Sequence, residues 1–395
     1  MLQDYTTEVI RLASGERLPM LVNRATSMPH GHVADYTLAF HRGVPINTSR
    51  RAVDAIGLFH SWSSLRGIDL DQRFGTGNLF TSDETTSLAE ALWHHRGKGS
   101  EPASVVGETH GHRVDQVNAY IRWRTSQVVS SMPVHDPRLG NINARLDMVT
   151  GQLASLKGSS VPKARGQLTE EQCLRLFEIV KPGSDENPFR KATQVRNFFV
   201  LLLHYELGVR KAEPLVVKGI HLHFGPRPLI TITFTPDDPK DPRLDQPSVK
   251  TLSRTLPMGP VLATAADRLM KQRSASKAMV AATRKNPFVV LSDDGASALS
   301  LDSAYDIFVT LRKKFPGDFP SDFAAHHLRR SWNYRFSQAC KTAGIKDELA
   351  DHIRRYIMGW SKTSTQPANY NRKEIEEQAF KLLLALQDGM TGIEL

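Results

Sequence analysis

The sequence predicts a mainly α-helical protein with a small antiparallel β-sheet in its C-terminal half. It is expected to form a helical N-terminal domain followed by an α+β domain. Three observations carry this. Apolar residues recur at helical spacing through segments of both halves. Two runs rich in β-formers, 229–234 and 249–256, are separated by a Pro/Asp loop at 235–248. A basic stretch with Pro and Gly near 158–167 divides the halves as a linker.

The 395 residues leave room for two domains and a small extra piece. With 40% hydrophobic and 23% charged residues, the composition is that of a folded chain and argues against general disorder. The net charge of +10 favours an anionic partner, of which nucleic acid is the commonest. Cys173 and Cys340, far apart, provide neither a disulfide framework nor a zinc pattern, and fit a reducing interior. The first residues lack the basic and apolar regions of a signal peptide, and the apolar run 198–203 is too short to span a bilayer. These features predict a soluble, cytoplasmic protein with no membrane association.

Residues 8–22 read as two short strands around Ser14-Gly15, part of an N-terminal arm over 1–29. Helical patterning begins near Thr48 or Ser49, either a candidate cap, and runs through Val53, Ile56, Phe59 and Trp62 to Arg66. Further helices are expected at 85–93 and 115–128, giving a helical domain over 30–157 with scattered arginines. The His94-His95 and His110-Gly111-His112 pairs lack nearby Cys or paired acids, so they read as exposed polar loop and not as metal ligands.

The second domain, 168–395, begins with a helix capped by Thr169. The run 195–205 is apolar on nearly every side, the mark of a buried helix, and stops at Gly208. After the two β-runs come helical segments at 262–284 and 301–314 with a short strand at 288–291 between them. A final helix over 372–388 carries an apolar stripe through Ile375, Ala379, Leu382, Leu383 and Leu386.

Three segments concentrate polar chemistry. They are Gly-Val-Arg-Lys-Ala-Glu-Pro-Leu at 208–215, His-His-Leu-Arg-Arg at 326–330, and Met-Gly-Trp-Ser-Lys-Thr-Ser-Thr-Gln-Pro-Ala-Asn-Tyr at 358–370. In this order and spacing they resemble the two arginine boxes and the closing tyrosine box of the tyrosine recombinases, the phage-integrase family of site-specific DNA recombinases. The likeness covers about 168–388. The preceding helical segment is similar, more loosely, to that family's core-binding domain.

The resemblance implies a catalytic set of Arg210, Lys250, His326, Arg329, Trp360 and the nucleophile Tyr370, with Glu213 in support. Guanidiniums suit a phosphoryl transition state because they donate in a planar fork and stay protonated. His326/Arg329 and His327/Arg330 both have the required spacing, and the family's Leu-Arg order selects the first pair. A phenol with an unperturbed pKa near 10 needs help to attack at neutral pH, and His326 is placed to accept its proton. Lys250 lies in the Lys-Thr…Leu-Pro setting that the family gives its general acid, with Lys240 as a competitor in the same loop. Trp360 stands where most members carry His; its indole can donate a hydrogen bond but cannot shuttle a proton. Tyr356, in a helix before Gly359, is the rival phenol, expected to pack or to contact phosphate.

The implied fold is a C-shaped clamp on double-stranded DNA. The implied activity is strand exchange through a 3′-phosphotyrosyl link, without ATP, metal or cofactor. The expected setting is a homotetramer on paired sites in a prokaryotic, phage or mobile-element context, with room for DNA-bending or directionality proteins. The 372–388 helix would pack on its own domain or on a neighbour. The alternatives are a type IB topoisomerase using the same chemistry, and a DNA-binding protein that keeps the fold without catalysis.

Overall fold

A computed structural model describes residues 4–94, 104–159, 166–275, 286–293, 295, 297–360 and 372–388. The described chain is mainly helical, with two small antiparallel sheets. It divides into two compact units. One comprises Met1–Lys163 with Asp237–Leu244, and the other Ala164–Pro236 with Asp245–Leu395.

In the first unit, β1 (Tyr5–Arg11) and β2 (Arg17–Asn23) form an antiparallel hairpin in which Thr7 faces Leu21. Gly15 turns it at φ +93°, and a Cβ there would lie 2.2 Å from the Asp237 carbonyl oxygen, so the 237–244 segment packs directly on the turn. Arg17, 2% exposed, fastens that segment by donating to the carbonyls of Asp241 at 2.7 Å and Arg243 at 2.9 Å.

Among the described residues six helices complete this unit: α1 (Gly31–Phe40), α2 (Ile46–Leu65), α3 (Leu70–Thr76), α4 (Ser82–Ala91), α5 (Gly107–Ser130) and α6 (Arg138–Ser155). The α2 residues Val53, Ile56, Phe59 and Trp62 join Leu88 of α4 and Val117, Tyr120 and Ile121 of α5 in one core. Neither Thr48 nor Ser49 caps α2. The helix starts at Ile46 with Pro45 at the N-cap position and no side-chain cap, and the Pro45 carbonyl accepts from the Thr48 and Ser49 N–H groups. Helices α1, α3 and α6 were not anticipated; α6 lies between Pro/Gly-rich flanks that masked its periodicity.

The reading of His110 as exposed loop is also corrected. It is fully buried in α5 and stacks on Trp93 at 4.1 Å and 8°. Its Nδ1 accepts from the Gly158 N–H, and Nε2 donates to the Ala89 carbonyl, both at 2.9 Å. Both ring nitrogens are thereby used in packing the unit. His112 is half-buried in the same helix, and His95 lies outside the described residues. Residues 160–165 of the expected linker also lie outside them.

The second unit opens with α7 (Glu170–Val180), capped by Thr169 in a capping box with Gln172. Helix α8 (Lys191–Glu206) is buried along nearly its whole length, as its apolar sequence predicted. Three strands follow in the order β3 (Leu222–His223), β4 (Leu229–Ile232) and β5 (Arg254–Pro257), all antiparallel. The second β-run is thus shorter than expected: 249–253 are loop, because Thr251 and Leu252 bond to groups outside the sheet. Residues 288–291 make isolated bridges to Lys218 and Ala298 and do not form a strand.

Helices α9 (Pro260–Ser274), α10 (Leu301–Lys314), α11 (Ala325–Thr342), α12 (Asp347–Met358) and α13 (Arg372–Asp388) surround α8 and the sheet. The helix read over 262–284 is described only to Ser274, and residues 276–285 lie outside the described residues. In the single chain, Ala379, Leu382 and Leu383 of α13 are buried in the core of this unit. Cys173 and Cys340 are both buried and free. No helix among the described residues is long and apolar enough to cross a membrane.

Candidate active site

The turn after α8 begins the site. Gly208 takes φ +60°, and a Cβ there would sit 2.7 Å from the Trp332 ring, so the chain passes against α11 with no room for a side chain. Its carbonyl accepts from Arg329 Nη1, which ties the first arginine box to the second. Arg210 follows two residues later, and its Nη1 reaches the Met358 carbonyl at 3.5 Å, next to the Gly359 turn.

Arg210, His326 and Arg329 line one open cavity of about 830 Å³, together with Lys211, Tyr305 and Arg312. Burial lowers the Arg329 guanidinium to about 10, and repulsion from Arg210 adds to the shift, while Glu213 opposes it. The Arg210 guanidinium is lowered for the same leading reason. Two cations held close together and partly dehydrated form a site that an anion relieves.

The doubled His-His/Arg-Arg pattern separates cleanly. His326 is exposed and lines the cavity. His327 is 2% exposed; its Nδ1 accepts the Ala324 N–H at 3.3 Å, and its Nε2 faces Asp322 Oδ1 at 3.5 Å. Arg330 turns away to the Gly166 carbonyl at 3.0 Å. Asp322, His326 and His327 bring ligand atoms within 4.8 Å of one another, close enough to hold a metal ion. With Nδ1 of His327 accepting, its Nε2 carries the proton toward Asp322, so that pair is satisfied without an ion.

Glu213, fully buried, anchors the floor. One oxygen accepts from the Arg210 backbone N–H at 2.8 Å, and the other from Thr251 Oγ1. Burial pushes its carboxyl up, but the charge and hydrogen bonds of Arg254 together with the other donors outweigh that and leave it lowered. Lys250 is exposed in the loop, immediately before Thr251, and the Leu252 N–H donates to the Gly359 carbonyl at 2.8 Å. Lys240 is also exposed, but it belongs to the Asp237–Leu244 segment of the first unit.

Trp360 is 38% exposed, directly after the left-handed Gly359, and its backbone N–H donates to the Arg355 carbonyl at 3.0 Å. It is therefore a surface indole and not part of the core. Tyr356 is half-buried, with its hydroxyl donating to the Thr255 carbonyl at 3.0 Å. Tyr370 lies outside the described residues, as does the rest of the closing box after Trp360. Arg254 and Thr251 were missed in the sequence. Only the adjacency of Thr251 to Lys250 could have drawn attention to them.

No family model matches the sequence, and neither does any curated protein. Solved structures are similar in chain path at low identity. One is the XerH site-specific recombinase bound to palindromic difH substrate in a post-cleavage complex: 16% identical, TM-score 0.46, covering 88% of this chain and 79% of that one. Another is lambda integrase, residues 75–356, bound to DNA: 12% identical, TM-score 0.48, covering 87% and 95%. A lambda integrase tetramer bound to a Holliday junction is 11% identical, with TM-score 0.40, covering 92% and 97%.

Proposed function

We propose that the protein is a site-specific DNA recombinase of the tyrosine type, which cleaves and rejoins DNA strands with Tyr370 as nucleophile. The observation that carries this reading is the convergence of Arg210, Arg329 and His326 on one cavity from distant parts of the chain. Two forked cations beside a proton acceptor suit a phosphodiester better than a neutral or cationic substrate.

In this reading the Tyr370 oxygen attacks a DNA phosphorus while Arg210 and Arg329 hold the nonbridging oxygens. His326 accepts the phenolic proton, and the Trp360 indole N–H donates to the phosphate. The P–O5′ bond breaks, Lys250 protonates the departing 5′ oxygen, and a 3′-phosphotyrosyl link remains. The 5′ hydroxyl of another strand then attacks that phosphorus and gives its proton to Lys250, while the P–O bond to Tyr370 breaks and His326 returns the phenolic proton, restoring a phosphodiester. One ester is exchanged for another, so the step needs no ATP, and the guanidiniums supply the charge that a metal would otherwise provide.

In this reading the chain acts as a homotetramer on paired sites, in the cytoplasm of a host that carries its element. The test is a nicked suicide substrate carrying the site, mapped from DNA flanking the gene. Wild type should form a covalent adduct that Tyr370→Phe cannot form. If neither protein forms one on its own site, the reading fails. Relaxation of a single supercoiled circle by a monomer would move it to a topoisomerase.

A further inference from the structure

We propose that Arg254, which lies in none of the three motif segments, is a positioning residue that holds Arg210 and Lys250 in register for strand cleavage. This rests on the recombinase reading above. Arg254 begins β5, with a side chain 1% exposed. Its guanidinium donates to Glu213 Oε2 at 3.0 Å and Oε1 at 3.2 Å, to Thr251 Oγ1 at 3.2 Å, and through Nε to the Ile357 carbonyl.

One planar group thereby joins three segments. Glu213 fixes the backbone N–H of Arg210 at 2.8 Å. Thr251 is the residue after Lys250. Ile357 is the penultimate residue of α12, just before Met358, whose carbonyl Arg210 reaches, and the Gly359 turn. That turn is packed so closely that a Cβ on Gly359 would lie 2.9 Å from Arg254 Nη1 and 2.8 Å from the Leu252 carbonyl oxygen. A buried ion pair is not itself a reason for stability, since a well-packed apolar pair commonly replaces one at little cost. What an apolar pair could not do is bridge these segments in a fixed geometry, and misplacing a reacting group by about 1 Å costs roughly 100-fold in rate.

The test uses the full chain on two suicide substrates, one with an ordinary phosphodiester and one with sulfur as the 5′-bridging atom. A departing thiolate needs no proton, so that substrate bypasses the general acid. Arg254→Lys keeps the charge but cannot reach all three partners, and Lys250→Ala serves as the reference. Arg254→Lys should slow cleavage of ordinary DNA by about 100-fold and recover at least about 10-fold on the sulfur substrate, as general-acid defects of this size should. DNA affinity should stay within a few-fold of wild type.

Wild-type rates for Arg254→Lys, or an equal loss on both substrates, would overturn the proposal. If that variant melts early, the double variant Glu213→Gln/Arg254→Met, which buries no charge, is held to the same two criteria. An adduct in wild type together with an unaffected Arg254 variant sinks this inference alone. Absence of the wild-type adduct sinks the recombinase reading and this inference with it.

Discussion

His326 and His327 are adjacent in sequence with ring centroids 4.2 Å apart, yet one opens on the cavity and the other is buried against Phe323 and Asp322. The two should therefore fail in different ways. His326→Gln should lower adduct formation about 100-fold or more, the scale of a lost general base, with little change in melting temperature. His327→Ala should cost about 1–3 kcal/mol of stability, because it empties the buried site of the ring and takes the acceptor from the partly buried Ala324 N–H, and should leave the cleavage chemistry of the folded fraction intact. Differential scanning calorimetry and single-turnover adduct assays separate these outcomes. A reversed pattern would mean that His327 and Arg330 are the working pair.

Arg329 should tolerate no cation of another shape. Its Nη1 is committed to the Gly208 carbonyl, so in the proposed reaction the remaining donors would serve the phosphate from one plane. Arg329→Lys keeps the charge and loses the fork; the expected loss in cleavage is about 100- to 1000-fold, as for removal of one transition-state donor. Binding to DNA, measured as a function of salt, should change far less, because it draws on many phosphate contacts.

Gly208 joins folding to the site. A methyl group there meets the Trp332 ring at 2.7 Å and the Met358 methyl at 2.9 Å, on a backbone at φ +60°. Gly208→Ala should destabilise the protein by about 1–3 kcal/mol through strain and overpacking, read as a lower denaturant midpoint. Because the Gly208 carbonyl holds Arg329, the same variant should also slow cleavage. A stable Gly208→Ala variant with full activity would count against both points.

Two buried groups on α8 give the pH dependence of stability opposite slopes. Burial lowers His204 to about 4, against a partly compensating hydrogen bond to the Val209 carbonyl. Below its unfolded value of about 6.5 the unfolded chain takes up the proton first, so this group removes stability as pH falls from about 6.5 to 4. Burial raises Glu206 to about 8, and neither of its oxygens has a hydrogen-bond partner. Its stabilisation is full below the unfolded value of about 4.5 and is lost as pH rises through 8, on the order of 4–5 kcal/mol. Between pH 6.5 and 8 only the Glu206 decline remains. Glu206→Gln should abolish that decline, and His204→Asn should lessen the acid-side loss that His204 shares with other buried histidines such as His60, both seen in melting temperature against pH. A Glu206→Gln profile that still falls between pH 6.5 and 8 would show that another group is responsible.

By itself the sequence determined the helical class, the buried α8, the Thr169 cap, the hairpin at Gly15 and the three polar segments. Each of these is written in local periodicity, in a capping side chain, or in a residue whose backbone freedom a turn requires. It did not determine that Pro45 would start α2, that His110 would be a core residue, or that the β5 strand would begin only at Arg254. Those outcomes depend on partners far along the chain: Trp93 and Gly158 for His110, and Glu213 and Ile357 for Arg254. Tertiary structure alone also gave His326 and His327 different surroundings and joined Glu213, Thr251 and Arg254 beneath Arg210. Spacing along a chain tells which face of a helix a side chain takes. Only packing tells what that face meets, and burial next to a partner is what makes a charge stay, shift or react.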